Sequence, residues 1–160
     1  MITLKRILVP TDFSEAGKTA LKYGVAFADQ FGAAVDLLHV VEPPPPGVLL
    51  SYTSMDDLRR NMRRAAENEM EELHAEWDDY AFPVKRIVVE GYPFVEIIRH
   101  AKESNADLII MGTHGRGAVA HALLGSVAEK TVRKAPCPVL TVGHPEHEFV
   151  HPLHSSDAAE

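Results

Sequence analysis

The chain has 160 residues and a formal net charge of −7, with 46% hydrophobic and 24% charged residues. This length suits one domain with a sizeable core, and the negative charge argues against a nucleic-acid binder, which would carry a basic face. The single cysteine, Cys137, excludes an internal disulfide and a zinc cluster and is expected to pack as a small hydrophobe. No apolar run approaches the ~20 residues that span a bilayer, and the N-terminal run is too short for a signal peptide, so we expect a cytoplasmic protein without a membrane partner.

Strand patterns alternate with helical patterns along the chain. Short apolar runs predict strands at residues 4–9, 34–41, 83–90, 108–111 and 138–142. Apolar spacings of three and four predict helices between them: one from its cap at Ser14 to about Phe31, ended by Gly32, one with an apolar stripe from Leu58 to Trp77, and two at about 94–103 and 127–134. This alternation predicts an α/β fold with a parallel sheet and right-handed crossovers. We expect residues 1–143 to form this domain and the histidine-containing residues 144–160 to be a disordered tail.

The second helical pattern has an unusual order of charges. Arginines at residues 59–64 precede glutamates at residues 67–76, which places cations near the start and anions near the end of the apolar stripe, against the helix dipole. We therefore expect this helix to depend on tertiary packing, helped by an Arg63–Glu67 ion pair. The arginines form either a solvated face or a docking patch for an acidic partner.

Residues 108–127 combine a buried strand, a loop with glycines and the start of a helix. Gly112, Gly115 and Gly125 let the backbone approach a ligand closely or adopt a positive φ. Unpaired N–H groups at the start of a helix attract an anion. Ser126 can cap that helix and donate its hydroxyl to a phosphate oxygen. The order of these features predicts a phosphate site.

Two other glycine patterns are weaker. Residues 17–19 have the end of a P-loop, but the position of its first glycine is occupied by Asp12, and Lys18 falls inside the first predicted helix. Residues 115–120 fit a loose dinucleotide fingerprint, but they follow the fourth strand and lack the acidic residue expected further on. The histidines of residues 144–160 have no rigid element to fix their geometry. We therefore predict neither a P-loop, nor a nicotinamide site, nor a metal site.

The spacing Gly112-x2-Gly115-x9-Gly125-Ser126 resembles the nucleotide-binding motif of the universal stress protein family, in its ATP-binding branch. The resemblance covers about residues 2–143, including the first strand and turn, the end of the second strand and the last strand. It implies an open sheet of five parallel strands in the order 3-2-1-4-5, with helices on both faces. It also implies ATP as the ligand and a homodimer formed by pairing of strand 138–142.

The resemblance also assigns roles to residues of this sequence. Asp12 would accept hydrogen bonds from the ribose, Val40 would contact adenine through its backbone, and the glycine loop would hold the phosphates, with Mg²⁺ accompanying the nucleotide. The same place follows from physics, because ligands of open α/β sheets bind beyond the carboxyl ends of the strands where the strand order reverses. Asp12 alone could also be a turn or cap residue, and the glycines could serve turn geometry. The position of His114 and Arg116 in the loop adds them to the candidates, with Arg116 either near the γ-phosphate or exposed. The candidate residues are Pro10, Thr11, Asp12, Val40, Met111, Gly112, His114, Gly115, Arg116, Gly125, Ser126 and Val127.

Three classes of function are compatible with these features. The protein is a nucleotide-dependent stress or signalling module, a slow ATPase or nucleotidyl-transfer enzyme on the same fold, or a dimeric scaffold that binds no nucleotide. The intact glycine–serine loop disfavours the scaffold. No acid–base or nucleophile–base pair favours the enzyme, so we predict an ATP-binding module, with at most slow ATP hydrolysis and no catalytic residue. The sequence identifies no protein partner.

Overall fold

The computed structural model describes residues 1–44, 54–75, 82–114 and 124–143. Within these residues, five strands form one parallel sheet in the order β3-β2-β1-β4-β5, which confirms the predicted topology. The strands are β1 (Arg6–Pro10), β2 (Ala34–Val41), β3 (Val84–Glu90), β4 (Leu108–Gly112) and β5 (Val139–Val142). The helices are α1 (Glu15–Phe31), α2 (Met55–Ala75), α3 (Pro93–Glu103) and α4 (Ser126–Lys134).

Helices cover both faces of the sheet, as predicted. On one face, Ile7 of β1 belongs to a buried cluster with residues of α1 and α2, such as Leu21 and Met70. On the other face, the next residue, Leu8, belongs to a cluster with Ile97 of α3 and residues of α4. Alternate side chains of a strand point to opposite faces, so the central strand β1 is apolar and buried on both faces from residue 7 to residue 10.

Local signals define the ends of α1. The side chain of Ser14 accepts a hydrogen bond from the N–H of Gly17 at 3.2 Å, which confirms Ser14 as the N-cap. At the other end, Gly32 has a φ of 65° and its N–H donates to the carbonyl of Ala28. A left-handed residue after a helix is most easily supplied by glycine, so the predicted end of this helix is also confirmed.

The start of α2 differs from the prediction. The helix begins before the apolar stripe, and its first turn contains Asp56 and Asp57. The hydroxyl of Ser54 accepts the N–H of Asp57 at 3.1 Å and donates to its carboxylate at 2.7 Å. The expectation of cations at the helix start is therefore wrong, because acidic residues and a capping hydroxyl come first and suit the helix dipole. The expected Arg63–Glu67 pair is present at 2.9 Å. The buried members of the stripe are Leu58, Ala66, Met70 and Leu73, and Trp77 lies outside the described residues.

A buried carboxylate joins β2 to α3. The side chain of Asp36 is 2% exposed, and its oxygens lie 3.0 Å from a guanidinium nitrogen of Arg6 and 2.9 Å from Nε2 of His100. Buried charges are tolerated when they are paired and hydrogen-bonded. These contacts fix α3 against the sheet, and α3 in turn lines the cavity described below.

The edges of the sheet are β3 and β5, as the predicted strand order requires. No helix among the described residues is long and apolar enough to cross a membrane. The histidine-containing tail lies outside the described residues.

Candidate functional site

A cavity of about 890 Å³ lies at the carboxyl ends of β1, β2 and β4, next to the start of α4. The strand order reverses between β1 and β4, which is where open α/β sheets bind ligands, and the volume is within the range of small-molecule sites. Ten of the twelve candidate residues line this cavity: Pro10, Thr11, Asp12, Val40, Met111, Gly112, His114, Gly125, Ser126 and Val127. The other two, Gly115 and Arg116, lie outside the described residues.

Asp12 lies in the turn between β1 and α1. One of its carboxylate oxygens accepts hydrogen bonds from the hydroxyl of Ser14 and from its N–H, the latter at 3.1 Å. The preceding residue, Thr11, is buried, and its N–H donates to the carbonyl of Leu38 at 2.8 Å. Asp12 therefore has the turn role that its sequence context allowed, while Ser14 caps the helix, and Asp12 also lines the cavity.

The end of β2 presents backbone groups to the cavity. In β2, the even-numbered residues direct their backbone groups towards β1, since the carbonyl of Leu38 accepts the N–H of Thr11. Leu38 is also in the last residue pair of the β1–β2 ladder. Val40 is the next residue of this set, and its N–H and carbonyl point to the space beyond the end of β1.

The start of α4 corrects one prediction. Gly125, with φ −67° and ψ 155°, is the N-cap, and Ser126 is the exposed first residue of the helix. The expectation that Ser126 caps the helix is therefore wrong. The N–H of Gly125 donates to the carbonyl of Thr113 at 2.6 Å. With this contact, α4 begins one residue earlier than predicted. No side chain caps this turn among the described residues, so the amides of Ser126 and Val127 are available to a ligand.

Close packing, rather than an unusual backbone, explains two glycines of the motif. Neither Gly112 nor Gly125 is among the described residues with positive φ, so that part of the expectation is wrong for both. A Cβ on Gly112 would lie 2.9 Å from the Cβ of Ala16, and a Cβ on Gly125 would lie 3.0 Å from the carbonyl oxygen of Thr113. Each glycine allows two backbone segments to approach at the edge of the cavity.

The loop after β4 begins on the cavity wall. Met111 is 5% exposed, and the N–H of Thr113 donates to the carbonyl of Val142 at 2.9 Å, which joins this loop to β5. Nδ1 of His114 lies 3.0 Å from the hydroxyl of Thr113. His114 is thus held at the cavity by its neighbour rather than exposed on a loop tip.

Sequence reasoning missed several residues of the cavity. The ring of Phe13 stacks on that of His39 with their centroids 4.3 Å apart, and both line the cavity. Gly17, considered above only as part of a P-loop, would place a Cβ 3.1 Å from side-chain oxygens of Asp12 and Thr11. From α2, Met62, Ala65, Ala66 and Glu69 also line the cavity. No local signal identified these helical residues, because they lie in the middle of α2 and reach the cavity only through the packing of that helix on the sheet.

The described residues include no group of three or more histidine, cysteine, aspartate or glutamate side chains that could hold a metal ion. Acidic residues nevertheless line the cavity, among them Glu129 in the first turn of α4. The carboxylate of Glu129 lies 3.0 Å from the guanidinium of Arg133. This ion pair offsets the negative charge of Glu129, which lies close to the amides at the start of α4.

A sequence model of the universal stress protein family matches residues 3–143, which is most of the chain. The chain belongs to the universal stress protein family. The universal stress protein MJ0577 of Methanocaldococcus jannaschii is 36% identical over 155 residues, covering 88% of this chain and 96% of the relative. A solved structure of MJ0577 has a TM-score of 0.78 at 38% identity and covers 89% of this chain and 97% of its own.

Two further solved structures share this universal stress protein fold. The universal stress protein UspA from Lactobacillus plantarum has a TM-score of 0.77 at 25% identity, with coverage of 89% of this chain and 99% of that one. A family protein from Arabidopsis thaliana, solved with AMP bound, has a TM-score of 0.59 at 19% identity, with coverage of 88% and 92%. At that identity, the Arabidopsis structure shows the shared fold alone.

Proposed function

We propose that this universal stress protein binds ATP in the cavity between β1 and β4 and acts as a nucleotide-dependent stress or signalling module. The observation that carries the proposal is the start of α4 beside a cavity of about 890 Å³, where a glycine N-cap leaves the first amides without a side-chain partner among the residues that the structure describes. Amides at a helix start carry partial positive charge and point outward, so they suit an anion such as a phosphate chain.

The rest of the cavity suits the remainder of the nucleotide. The backbone groups of Val40 would contact the edge of adenine, and its buried side chain would lie beside the base. Asp12 would accept hydrogen bonds from the ribose hydroxyls at the junction between base and phosphates. Mg²⁺ would accompany ATP and be held by phosphate oxygens and the hydroxyl of Ser126. Gly115 and Arg116 complete the proposed phosphate loop by sequence resemblance.

The proposed activity is binding rather than rapid turnover. Fast phosphoryl transfer needs a positioned nucleophile and cations at the developing charge. In the described part of the cavity, His114 is the candidate base nearest the loop, and Asp12 caps the turn at the ribose end. A group that binds substrate and transition state equally does not raise the chemical rate. ATP hydrolysis is therefore proposed to be slow, and the slow ATPase or nucleotidyl-transfer enzyme is the alternative.

Proline at position 126 gives a direct test of the phosphate site. Ser126 is the first residue of α4, where proline is tolerated because its missing N–H would have no partner within the helix. Gly125 already has the extended backbone that a residue before proline requires. Ser126→Pro thus removes one amide donor and one hydroxyl while the helix can remain, and Ser126→Ala removes the hydroxyl alone.

Isothermal titration calorimetry with ATP and adenosine separates the phosphates from the base. We expect Ser126→Pro to weaken ATP binding by about tenfold or more, because a hydrogen bond to a charged group is lost. Ser126→Ala should have a smaller effect, and both variants should bind adenosine like the wild type. Wild-type affinity of Ser126→Pro for ATP would place the phosphates elsewhere. If the wild type binds NAD more strongly than ATP, the proposal that ATP is the ligand is wrong.

A further inference from the structure

The turn between β1 and α1 contains a backbone conformation that needs support. Phe13 has a φ of 62°, in the left-handed region that residues with a large side chain rarely adopt. Such a conformation persists only when its surroundings hold it, and these residues occur preferentially at functional sites. Phe13 directly follows Asp12, so the contacts that hold Phe13 act together with the hydrogen bonds from Ser14 to position the Asp12 carboxylate.

Besides the hydrogen bonds from Ser14 to Asp12, three contacts link Thr11, Phe13 and His39 in this turn. The hydroxyl of Thr11 accepts the N–H of Phe13 at 3.1 Å. The Phe13 ring stacks on the imidazole of His39 with an interplanar angle of 30°. Nδ1 of His39 lies 2.8 Å from the carbonyl oxygen of Thr11. Thr11, Phe13 and His39 therefore form a closed set of contacts around Asp12.

The contact between His39 and Thr11 fixes the role of one imidazole nitrogen. A backbone carbonyl only accepts hydrogen bonds, so Nδ1 of His39 must carry the proton and donate. His39 itself belongs to β2, where Leu38 and Val40 on either side are buried. The imidazole thus connects a rigid strand to a turn that would otherwise relax from its unfavourable φ.

We propose that His39 is a positioning residue for nucleotide binding: it holds Thr11 and Phe13 so that the Asp12 carboxylate faces the ribose. This inference rests on the proposed function, because it concerns the ribose end of the same cavity. His39 acts through the turn and through Asp12, not through a bond to the phosphates. Its loss therefore affects the ribose contact selectively.

Two variants of matched size test the hydrogen bond. In His39→Asn, the side-chain amide nitrogen is as many bonds from the backbone as Nδ1 and can donate to the same carbonyl. His39→Leu has nearly the shape of the asparagine variant but no donor. Both variants lose the ring that stacks on Phe13, so the difference between them isolates the hydrogen bond. The probes are ATP and 2′,3′-dideoxy-ATP, which lacks both ribose hydroxyls and so cannot donate to Asp12.

We expect His39→Leu to weaken ATP binding by about five- to 150-fold, the range that corresponds to releasing one unfavourable backbone conformation. His39→Asn should recover most of this loss. Binding of dideoxy-ATP should change little in either variant. In an Asp12→Ala background, His39→Leu should have no further effect on ATP, which is the result of a double-mutant cycle for two residues that act as a unit. Equal losses for ATP and dideoxy-ATP, or additive losses in the cycle, would overturn the proposal.

A crystal structure of His39→Leu without nucleotide provides the second measurement. We expect Phe13 to leave the positive φ region while the sheet is unchanged, and an unchanged turn would also overturn the proposal. Failure of the wild type to bind ATP would contradict the proposed function, whereas this structure decides separately whether His39 holds the turn.

Discussion

Replacing Gly112 with alanine would insert a methyl group into the contact between β4 and α1. The new Cβ would lie 2.9 Å from the Cβ of Ala16 and 3.0 Å from its carbonyl carbon. Carbon atoms pack at about 3.5–4.0 Å, so the helix or the strand must move by roughly 0.5–1 Å. Overpacking of this kind typically lowers the free energy of unfolding by about 1–3 kcal/mol. Since Ala16 lies in the first turn of α1, the adjacent turn that contains Asp12 should move with it.

Chemical denaturation of Gly112→Ala and of a matched control measures this cost. In Gly143→Ala, the nearest atom to the new Cβ would be the hydroxyl oxygen of Thr113 at 3.9 Å, an ordinary contact. Both substitutions stiffen the unfolded chain in the same way, so the difference between them isolates the clash. For a chain of this size we expect a melting temperature lower by about 2–12 °C for Gly112→Ala, and little change for the control. Equal stability of the two variants would refute the reasoning that Gly112 is required by packing.

Three further predictions concern assembly, turnover and thiol reactivity. A homodimer that pairs through the β5 edge should dissociate in Thr141→Pro. The N–H of Thr141 points away from β4 towards this edge, so proline removes a hydrogen bond to the partner strand without disturbing the pairing with β4. Sedimentation velocity measures this, and a monomeric wild type at micromolar concentration would contradict the prediction. Single-turnover phosphate release with Mg²⁺ should be on the order of 10⁻² s⁻¹ or slower, whereas turnover near ~1 s⁻¹ that is lost in His114→Ala would favour the enzyme. Burial, with a smaller contribution from the negative charge of Asp107, raises the pKa of the Cys137 thiol. Iodoacetamide near neutral pH should therefore modify this thiol more slowly in the folded than in the unfolded chain, and equal rates would contradict the prediction.

The sequence predicts helix and strand ends well where one residue supplies the signal. Ser14 and Gly32 bound α1 as expected, because a capping hydroxyl and a left-handed glycine act within one turn. The start of α4 is set by a contact between Gly125 and Thr113, and α4 therefore begins at Ser126 rather than being capped by it. Gly125 and Ser126 are both acceptable N-cap residues, so the local sequence alone does not decide between them, and the contact that does comes from Thr113, which is distant in sequence. The strand order came from the family resemblance, since local patterns do not distinguish the possible orders of a parallel sheet.

A comparison of the four helix starts explains why we propose that the phosphates bind at α4. In a parallel α/β sheet, every helix begins at the carboxyl edge, so the positive dipole ends of α1 to α4 lie at the same edge of the sheet as the cavity. The first turns of α1 and α2 are capped by hydroxyls of their own, from Ser14 and Ser54. α3 also has no side-chain cap among the described residues, but its first residue, Pro93, has no N–H, and the N–H groups of Val95 and Glu96 donate to the carbonyl of Tyr92. α4 begins after Gly125, whose lack of a side chain leaves the first amides without a cap among the described residues. An anion that enters the cavity therefore finds its most available donors at the start of α4. Asp12 lies on the opposite side of the strand-order reversal. An elongated ligand with hydroxyls at one end and negative charge at the other suits this separation between Asp12 and α4.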